Sequence, residues 1–150
     1  MSYSVDDRRK IILDNFKNPA KQLSLTDLKE LSEKWKIPFL TFRNLEDGCG
    51  DTLHLLVRLE NNRIEKIYFA GQESCLITVS SSNILCSYLE GKDWETGWKI
   101  VNNLQTMLKG EDYYLDDYPS LKVFSDITHF SHRLGCINLV IKIVIEALHS

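Results

Sequence analysis

The chain has 150 residues, of which 43% are hydrophobic and 26% are charged, and its formal net charge is −3 at pH 7. This length and composition predict one globular domain over residues 1–150, and the scattered basic residues argue against a nucleic-acid partner. No apolar run reaches the roughly 18 residues of a membrane-spanning helix, so we expect no membrane partner.

Hydrophobic periodicity predicts two helices at the start of the chain. Residues 5–17 carry apolar side chains at helical spacing, and this helix should end before Pro19 because the residue preceding a proline disfavours helical geometry. A second helix is predicted over residues 24–36, with Ser24 as its N-cap and Pro38 just beyond its end.

Three short strands are predicted next, over residues 39–42, 51–60 and 63–70. Apolar and polar residues alternate over 51–60, which is typical of a strand with one buried face. Asn61 and Asn62 form a two-residue turn suited to positive φ angles, so the last two strands should form an antiparallel hairpin.

Helices are predicted again after the hairpin. Their ranges are 75–88, 93–109 with Trp94 facing inward, a short helix over 119–124, and 131–149. Helices on both sides of a compact group of strands indicate an α+β fold. We therefore predict a small antiparallel sheet of about three strands packed against the helices.

The cysteines are interpreted through the expected compartment. The N-terminal sequence becomes charged at once and shows no signal-peptide pattern, so we expect a cytoplasmic protein. In that reducing compartment, four cysteines are more typical of metal binding, catalysis or burial than of disulfides.

Cys49-Gly50-Asp51 is the stretch with the clearest potential for chemistry. Residues i and i+2 of an extended strand face the same side, so this thiolate and carboxylate can reach one metal ion. Cys75, at a predicted helix N-terminus, and Cys136, early in the last helix, can converge on the same end of the sheet. Three thiolates and one carboxylate suit zinc or the edge of an iron–sulfur cluster. The alternative is that the cysteines are small core residues.

Five short motifs occur in a fixed order along the chain. They are Lys17-Asn18-Pro19, Cys49-Gly50-Asp51, the stretch from Ile64 through Phe69 and Gly71 to Cys75, Ser80-Ser81-Ser82, and Arg133 three residues before Cys136. No single motif is specific. As an ordered set covering nearly the whole chain, they resemble the IscU/SufU/NifU N-terminal family of iron–sulfur cluster assembly proteins.

Two features make the resemblance closest to the SufU type. Cys75 and Cys136 are 61 positions apart, and SufU-type proteins carry an insertion between these cysteines that IscU-type proteins lack. The residue before Cys136 is Gly135, where IscU-type scaffolds have a histidine. One departure from the family is Ser74, which replaces the usual glycine before Cys75, so its backbone is expected to avoid positive φ.

The resemblance implies a zinc site formed by Cys49, Asp51, Cys75 and Cys136. It further implies that Cys49 accepts persulfide sulfur from a cysteine desulfurase, for delivery to apo iron–sulfur proteins, and that Arg133 is a functional residue near the site. If counted as an enzyme, such a protein is a zinc-dependent persulfide sulfurtransferase. Two alternatives stay open: a scaffold that assembles a [2Fe–2S] cluster on the same ligands, and a protein with a purely structural zinc site.

Other residues with ligand-type side chains are interpreted as structural. Cys86, at mid-helix, is expected to be a buried free thiol, and Asp112, Asp116 and Asp117 are expected to form a solvated acidic face. His132, one helical turn before Cys136, is the alternative spare ligand, although the four-ligand set is complete without it.

Overall fold

The computed structural model describes residues 3–44, 50–129 and 131–149, with the backbone alone at residues 128, 129, 131 and 132. Two helices open the fold, α1 (Val5–Lys17) and α2 (Leu25–Trp35), and are followed by strands β1 (Leu40–Arg43), β2 (Thr52–Glu60) and β3 (Arg63–Ala70). Helices α3 (Leu76–Leu89) and α4 (Trp94–Leu108), a 3₁₀ helix (Pro119–His129) and helix α5 (Ser131–His149) follow. Within the described part of the chain, no helix is long and apolar enough to cross a membrane.

The three strands form one antiparallel sheet in the order β1–β2–β3. The central strand β2 pairs with β1 through residues such as Leu53 and Phe42, and it pairs along its other edge with β3. Asn61 and Asn62 turn the hairpin with φ angles of 53° and 61°, as predicted for this pair. The predicted α+β fold with a small antiparallel sheet is confirmed.

Both faces of the sheet are covered by helices. Leu53, Leu55 and Phe69 belong to the main core, which the sheet shares with α3, α4 and α5. On the opposite face, Leu56 is fully buried in a smaller cluster with Leu28 of α2. Alternation along β2 predicts a polar outer face that Leu56 interrupts, and the interruption is explained because α2 covers that position.

Helix α3 lies at the centre of the molecule. It contacts α1, α5, β3 and the 3₁₀ helix, and every residue from Ile77 to Cys86 is buried. A buried serine of this helix can bond through its hydroxyl to the backbone of its own helix, as Ser81 does to the carbonyl of Ile77 at 2.5 Å. The serine-rich run is therefore part of a packing surface.

Local backbone chemistry sets the element boundaries. Ser24 is confirmed as the N-cap of α2, because its hydroxyl oxygen accepts the amide of Asp27 at 3.1 Å. The helix ends one residue before its predicted boundary, since Lys36 takes a left-handed conformation with φ 59°. The short helix predicted over 119–124 is an 11-residue 3₁₀ helix that continues to His129.

The prediction that Trp94 faces inward is wrong. Its side chain is 36% exposed and stacks on Trp98, with the ring centroids 6.1 Å apart. Its indole nitrogen donates a hydrogen bond to the carbonyl of Leu148 at 2.5 Å. The buried residues of α4 begin only at Gly97. Trp94, in the first turn, lies instead against the C-terminal end of α5.

The Asn-Pro segment after α1 joins the edge of the sheet to α3. The carbonyl of Lys21 accepts the amide of Phe69 at 3.0 Å, and the amide of Lys21 donates to the Asn83 side chain at 2.9 Å. The Lys21 ammonium forms an ion pair with Glu90, the C-cap residue of α3. These bonds hold α3 in a fixed position relative to the sheet.

Candidate metal centre

Three of the predicted ligand residues meet at one end of the sheet. Asp51 immediately precedes β2, Cys75 is the N-cap of α3, and Cys136 lies in the second turn of α5. Their ligand atoms lie within 4.8 Å of one another, and the Sγ atoms of Cys75 and Cys136 are 3.1 Å apart. Segments that are distant in the sequence therefore form one cluster of ligand-type side chains.

The cluster lies at the boundary between the core and the surface. Asp51 and Cys136 are only 8% and 2% exposed, whereas Cys75 is half-buried. A cavity of about 410 Å³, lined in part by Asp51, His54 and Ser74, adjoins the carboxylate. Two candidate ligands are thus shielded, while Asp51, which lines the cavity, stays within reach of a molecule that enters it.

Asp51 caps helix α3 from outside the helix. Its Oδ2 atom accepts the amide of Cys75 at 3.1 Å and the hydroxyl of Thr78 at 2.7 Å. In an ordinary capping box, the side chain at the third helical position accepts the N-cap amide. That position is Thr78 here, and a carboxylate from the neighbouring strand accepts the amide instead. The positive end of the helix dipole also favours a carboxylate at this place.

Thr78 is a residue of the site that the sequence analysis did not identify. It is fully buried and touches two candidate ligands, since its hydroxyl also lies 3.4 Å from Cys75 Sγ and its amide donates to that sulfur at 3.5 Å. The signal that could have found it is its position three residues after Cys75, which is the capping-box position of a helix whose N-cap is a ligand.

Backbone geometry directs Asp51 into the cluster. Gly50 takes a left-handed conformation with φ 67°, which glycine adopts without a steric cost. The amide of Asn44, just after β1, donates to the carbonyl of Asp51 at 2.8 Å. The carboxylate is therefore presented from a backbone that is held to the neighbouring strand.

The turn before Cys75 carries the departure from the family pattern. Ser74 avoids positive φ, as predicted, and the left-handed position is taken by Glu73 with φ 71°. The Ser74 hydroxyl donates to the carbonyl of Thr52 at 3.2 Å, which ties the turn to the start of β2. The turn thus brings Cys75 beside Asp51 without a glycine at residue 74.

The donor set fits zinc. Zinc accepts sulfur and oxygen ligands in tetrahedral geometry, with Zn–S distances of about 2.3 Å that place two bound sulfurs about 3.8 Å apart. The sulfurs of Cys75 and Cys136, now at 3.1 Å, need to separate by only about 0.7 Å for that geometry. Together with Asp51 they could supply three of the four ligands of such a site. Thiolates also hold iron–sulfur clusters, so this donor set does not select between the two.

The other predicted site residues are not part of this cluster as the structure describes it. Cys49, the predicted sulfur acceptor and fourth ligand, lies outside the described residues, as does the side chain of His132. Arg133 is exposed on α5, one turn before Cys136, and lines a cavity of about 430 Å³ between α1, the 3₁₀ helix and the start of α3. The functional role of Arg133 stays a prediction.

The residues interpreted as structural agree with that interpretation. Cys86 is 1% exposed, and its burial raises the pKa of the thiol. Asp112, Asp116 and Asp117 are exposed, and a hydrogen bond from Lys122 to Asp116 at 2.6 Å lowers the pKa of that carboxyl. Over the described ranges, none of them belongs to a group of side chains placed to share a metal ion.

The sequence matches a known family and two kinds of named relative. Residues 7–113 match the family described as NifU-like N terminal domain. The zinc-dependent sulfurtransferase SufU of Bacillus subtilis is 25% identical over 132 residues, which cover 87% of this chain and 82% of that protein. The iron–sulfur cluster assembly scaffold protein IscU of Thermotoga maritima is 25% identical over 108 residues, which cover 69% of this chain and 75% of that protein.

Solved structures share the fold. FiSufU of Fervidobacterium islandicum aligns with a TM-score of 0.75 at 21% identity, covering 97% of this chain and 96% of that chain. The N-terminal part of a NifU-like protein from Brucella abortus aligns with a TM-score of 0.74 at 16% identity, covering 97% and 94%. The family match spans more than half of the sequence and the resemblance stated from the motifs is confirmed: the chain belongs to the NifU-like N-terminal domain family.

Proposed function

We propose that this protein is a zinc-dependent acceptor of persulfide sulfur from a cysteine desulfurase, acting in iron–sulfur cluster assembly. The observation that carries the proposal is the cluster of Asp51, Cys75 and Cys136, whose carboxylate is separated from Cys49 by one residue in the sequence. The relative named as a zinc-dependent sulfurtransferase supports the same function.

Cys49 is the proposed sulfur acceptor. Its thiolate attacks the outer sulfur of the desulfurase persulfide and forms a new S–S bond to it. The S–S bond of the desulfurase persulfide breaks, and its electron pair stays on the desulfurase cysteine as a thiolate. The exchange balances without an external oxidant or reductant. The sulfur carried on Cys49 is then available to apo iron–sulfur proteins.

Asp51, Cys75 and Cys136 are proposed to hold the zinc ion next to this acceptor. Bound zinc supplies positive charge that keeps coordinating thiols deprotonated near neutral pH. Asp51 presents an oxygen ligand whose other bonds fix it at the N-terminus of α3. Arg133 is proposed to balance the negative charge of a thiolate or carboxylate during the exchange.

A second candidate function is a scaffold for [2Fe–2S] assembly on the same ligands. The relative named as an IscU scaffold favours it, and the same thiols suit a cluster. Gly135 occupies the position of the IscU-type histidine, and 61 positions separate Cys75 from Cys136. Both features support the sulfur-acceptor function over the scaffold.

A purely structural zinc site is the third candidate. Structural zinc sites are closed and use cysteine and histidine ligands. This cluster includes the carboxylate of Asp51 and adjoins a cavity of about 410 Å³. An oxygen ligand beside an accessible cavity supports a site that exchanges ligands during its function.

Metal content tests the proposed site. The protein is purified anaerobically without added metal, alongside Asp51→Ala and the surface control Asp112→Ala, and zinc, iron and acid-labile sulfide are measured. We expect about one zinc ion per chain in the wild type and the control, and a strong loss in Asp51→Ala. Iron with acid-labile sulfide would favour the scaffold function, and metal-free wild-type protein would contradict both.

Sulfur transfer tests the role of Cys49. Labelled sulfur from a desulfurase and cysteine is followed onto wild-type protein, Cys49→Ser and Cys86→Ser. We expect Cys49→Ser to take up no label, whereas Cys86→Ser should keep full uptake because Cys86 is buried away from the cluster. Undiminished labelling of Cys49→Ser would falsify the acceptor assignment.

A further inference from the structure

We infer that Thr78 is a positioning residue of the zinc site, which holds the Asp51 carboxylate in place through its buried hydroxyl. The inference rests on the proposed zinc-dependent function and assigns a role to a residue outside the ligand set. Thr78 is 0% exposed, and its hydroxyl donates to Asp51 Oδ2 at 2.7 Å.

The bonds around the carboxylate define what Thr78 contributes. Among the described residues, the Thr78 hydroxyl and the amide of Cys75, at 3.1 Å, both donate hydrogen bonds to Asp51 Oδ2. Two donors fix both the position of the oxygen and the rotation of the carboxylate plane. A metal ion held by Asp51 would therefore bind to a carboxylate whose orientation Thr78 helps to set.

The hydroxyl also lies next to the neighbouring thiol of Cys75. Its one proton goes to Asp51, and the thiol proton of Cys75 goes to Cys136 Sγ at 3.1 Å, so neither group has a proton left for the 3.4 Å approach between the hydroxyl and Cys75 Sγ. Thr78 therefore acts on the metal through the carboxylate, and its contact with Cys75 is secondary.

The location of Thr78 makes this positioning rigid. It occupies the third position of α3, and its own amide donates to Cys75 Sγ at 3.5 Å. Ile77, Thr78 and Val79 are all buried, so the side chain has no room to change rotamer without disturbing the core. Hydrogen bonds that orient a metal ligand change metal affinity about 10- to 100-fold when they are removed.

The test compares zinc affinity in variants that separate the hydroxyl from the shape of the side chain. Thr78→Val keeps the shape and removes the hydroxyl, and Thr78→Ser keeps the hydroxyl. Ser81→Ala is the matched control, since it removes a buried hydroxyl of the same helix that, among the described residues, bonds to the backbone of its own helix. Zinc dissociation constants are measured by competition with a chromophoric chelator.

We expect Thr78→Val to weaken zinc binding by about 10- to 100-fold, with Thr78→Ser and Ser81→Ala within about threefold of the wild type. Equal affinity of Thr78→Val and the wild type would overturn the inference. Equal weakening in Thr78→Ser and Thr78→Val would overturn it too, because a variant that keeps the hydroxyl would then lose as much zinc affinity as one that lacks it. Thr78→Ala replaces Thr78→Val in the comparison should the latter fail to fold.

A double-mutant cycle tests the route through Asp51. In an Asp51→Ala background, Thr78→Val should cause no further loss of zinc affinity, whereas an unchanged loss would show that Thr78 does not act through the carboxylate. The metal-free protein provides an independent readout. Hydrogen exchange at the Cys75 amide should accelerate about tenfold in Thr78→Val, because the acceptor is less well held.

These readouts separate the inference from the proposed function. A wild-type protein that binds no zinc would contradict the proposed function, and the exchange rate of the Cys75 amide would still decide whether Thr78 positions Asp51. Zinc binding that is the same in the wild type and Thr78→Val would contradict the inference alone.

Discussion

Glu73 takes a left-handed conformation that has a steric cost for any residue with a Cβ atom. Its φ is 71°, in the turn that delivers Cys75 to the cluster, and this conformation costs roughly 1–2 kcal/mol for a non-glycine residue. Glycine removes that cost but loses more chain entropy on folding, by roughly 0.5–1 kcal/mol. We therefore expect Glu73→Gly to raise the free energy of unfolding in urea by up to about 1 kcal/mol.

The control for this prediction is Glu73→Ala, which removes the exposed carboxylate and keeps the Cβ atom. Its free energy of unfolding should stay within about 0.5 kcal/mol of the wild type. An equal gain in both variants would attribute the effect to the charge of Glu73 and would contradict the strain explanation.

The surroundings of His54 disfavour its protonated form. Burial lowers its pKa below the ordinary value of 6.5, and the positive charge of Lys29 lowers it further. Its Nδ1 atom lies 2.7 Å from the hydroxyl of Thr41 on the paired strand. Because the folded-state pKa is below the unfolded-state pKa, the folded protein binds fewer protons, and its stability should fall as pH decreases from 6.5 towards the folded-state pKa.

An NMR titration checks the cause of this shift. The pKa of His54 should lie below 6.5 in the wild type and should rise in Lys29→Gln, whereas Lys34→Gln should leave it unchanged. In His54→Gln, the part of the pH dependence of unfolding that belongs to this window should disappear. A His54 that titrates above 6.5 would reverse the sign of the stability change and refute the prediction.

At the scale of elements, α4 packs on the sheet through a close approach at Gly97. A Cβ atom added there would lie 2.6 Å from Ile64 Cδ1, and Ile64 is fully buried in the core. Gly97→Ala should therefore lower the free energy of unfolding by about 1–3 kcal/mol through overpacking, although alanine is the better helix former. Thermal or urea unfolding measures the loss.

Ile64→Val tests that mechanism because it removes the atom that would clash. Alone, this substitution should cost about 0.5–1.5 kcal/mol. Combined with Gly97→Ala, the total loss should be smaller than the sum of the two single losses, since the shortened side chain makes room for the methyl group. Additive losses would show that Ile64 is not the obstacle.

The elements show what the sequence could and could not predict. Local signals were sufficient for the hairpin turn at Asn61 and Asn62 and for the cap at Ser24, since these depend on neighbouring residues alone. The exposure of Trp94 and the burial of Leu56 depend on which distant helix lies against them. Residue spacing carries no information on that contact, so the exposure of one side chain and the burial of the other became known only from the tertiary structure.

The same distinction applies to the site. Ligand chemistry and motif order named Asp51, Cys75 and Cys136, which the fold brings together. Thr78 could not be predicted because its role depends on a hydrogen bond to Asp51, which comes from a different part of the chain to the N-terminus of α3. A threonine three residues after a cysteine has no distinctive pattern until that contact is known.

At the scale of the whole molecule, a metal in the cluster would join β2, α3 and α5. Asp51, Cys75 and Cys136 belong to segments that meet only in the folded state, so an unfolded chain presents no preformed site. A ligand that binds the folded state alone stabilises it by about 2.7 kcal/mol when its free concentration is 100 times the dissociation constant.

Zinc should therefore raise the midpoint of thermal unfolding of the chelator-treated protein by several degrees, and excess chelator should reverse the rise. Cys136→Ser should lose most of this stabilisation, because it removes the ligand that α5 contributes, whereas Asp112→Ala, at an exposed position, should keep all of it. The measurement is differential scanning calorimetry at a series of free zinc concentrations. An equal rise in Cys136→Ser would show that the stabilising zinc ion binds elsewhere in the molecule, and it would contradict the proposed metal centre.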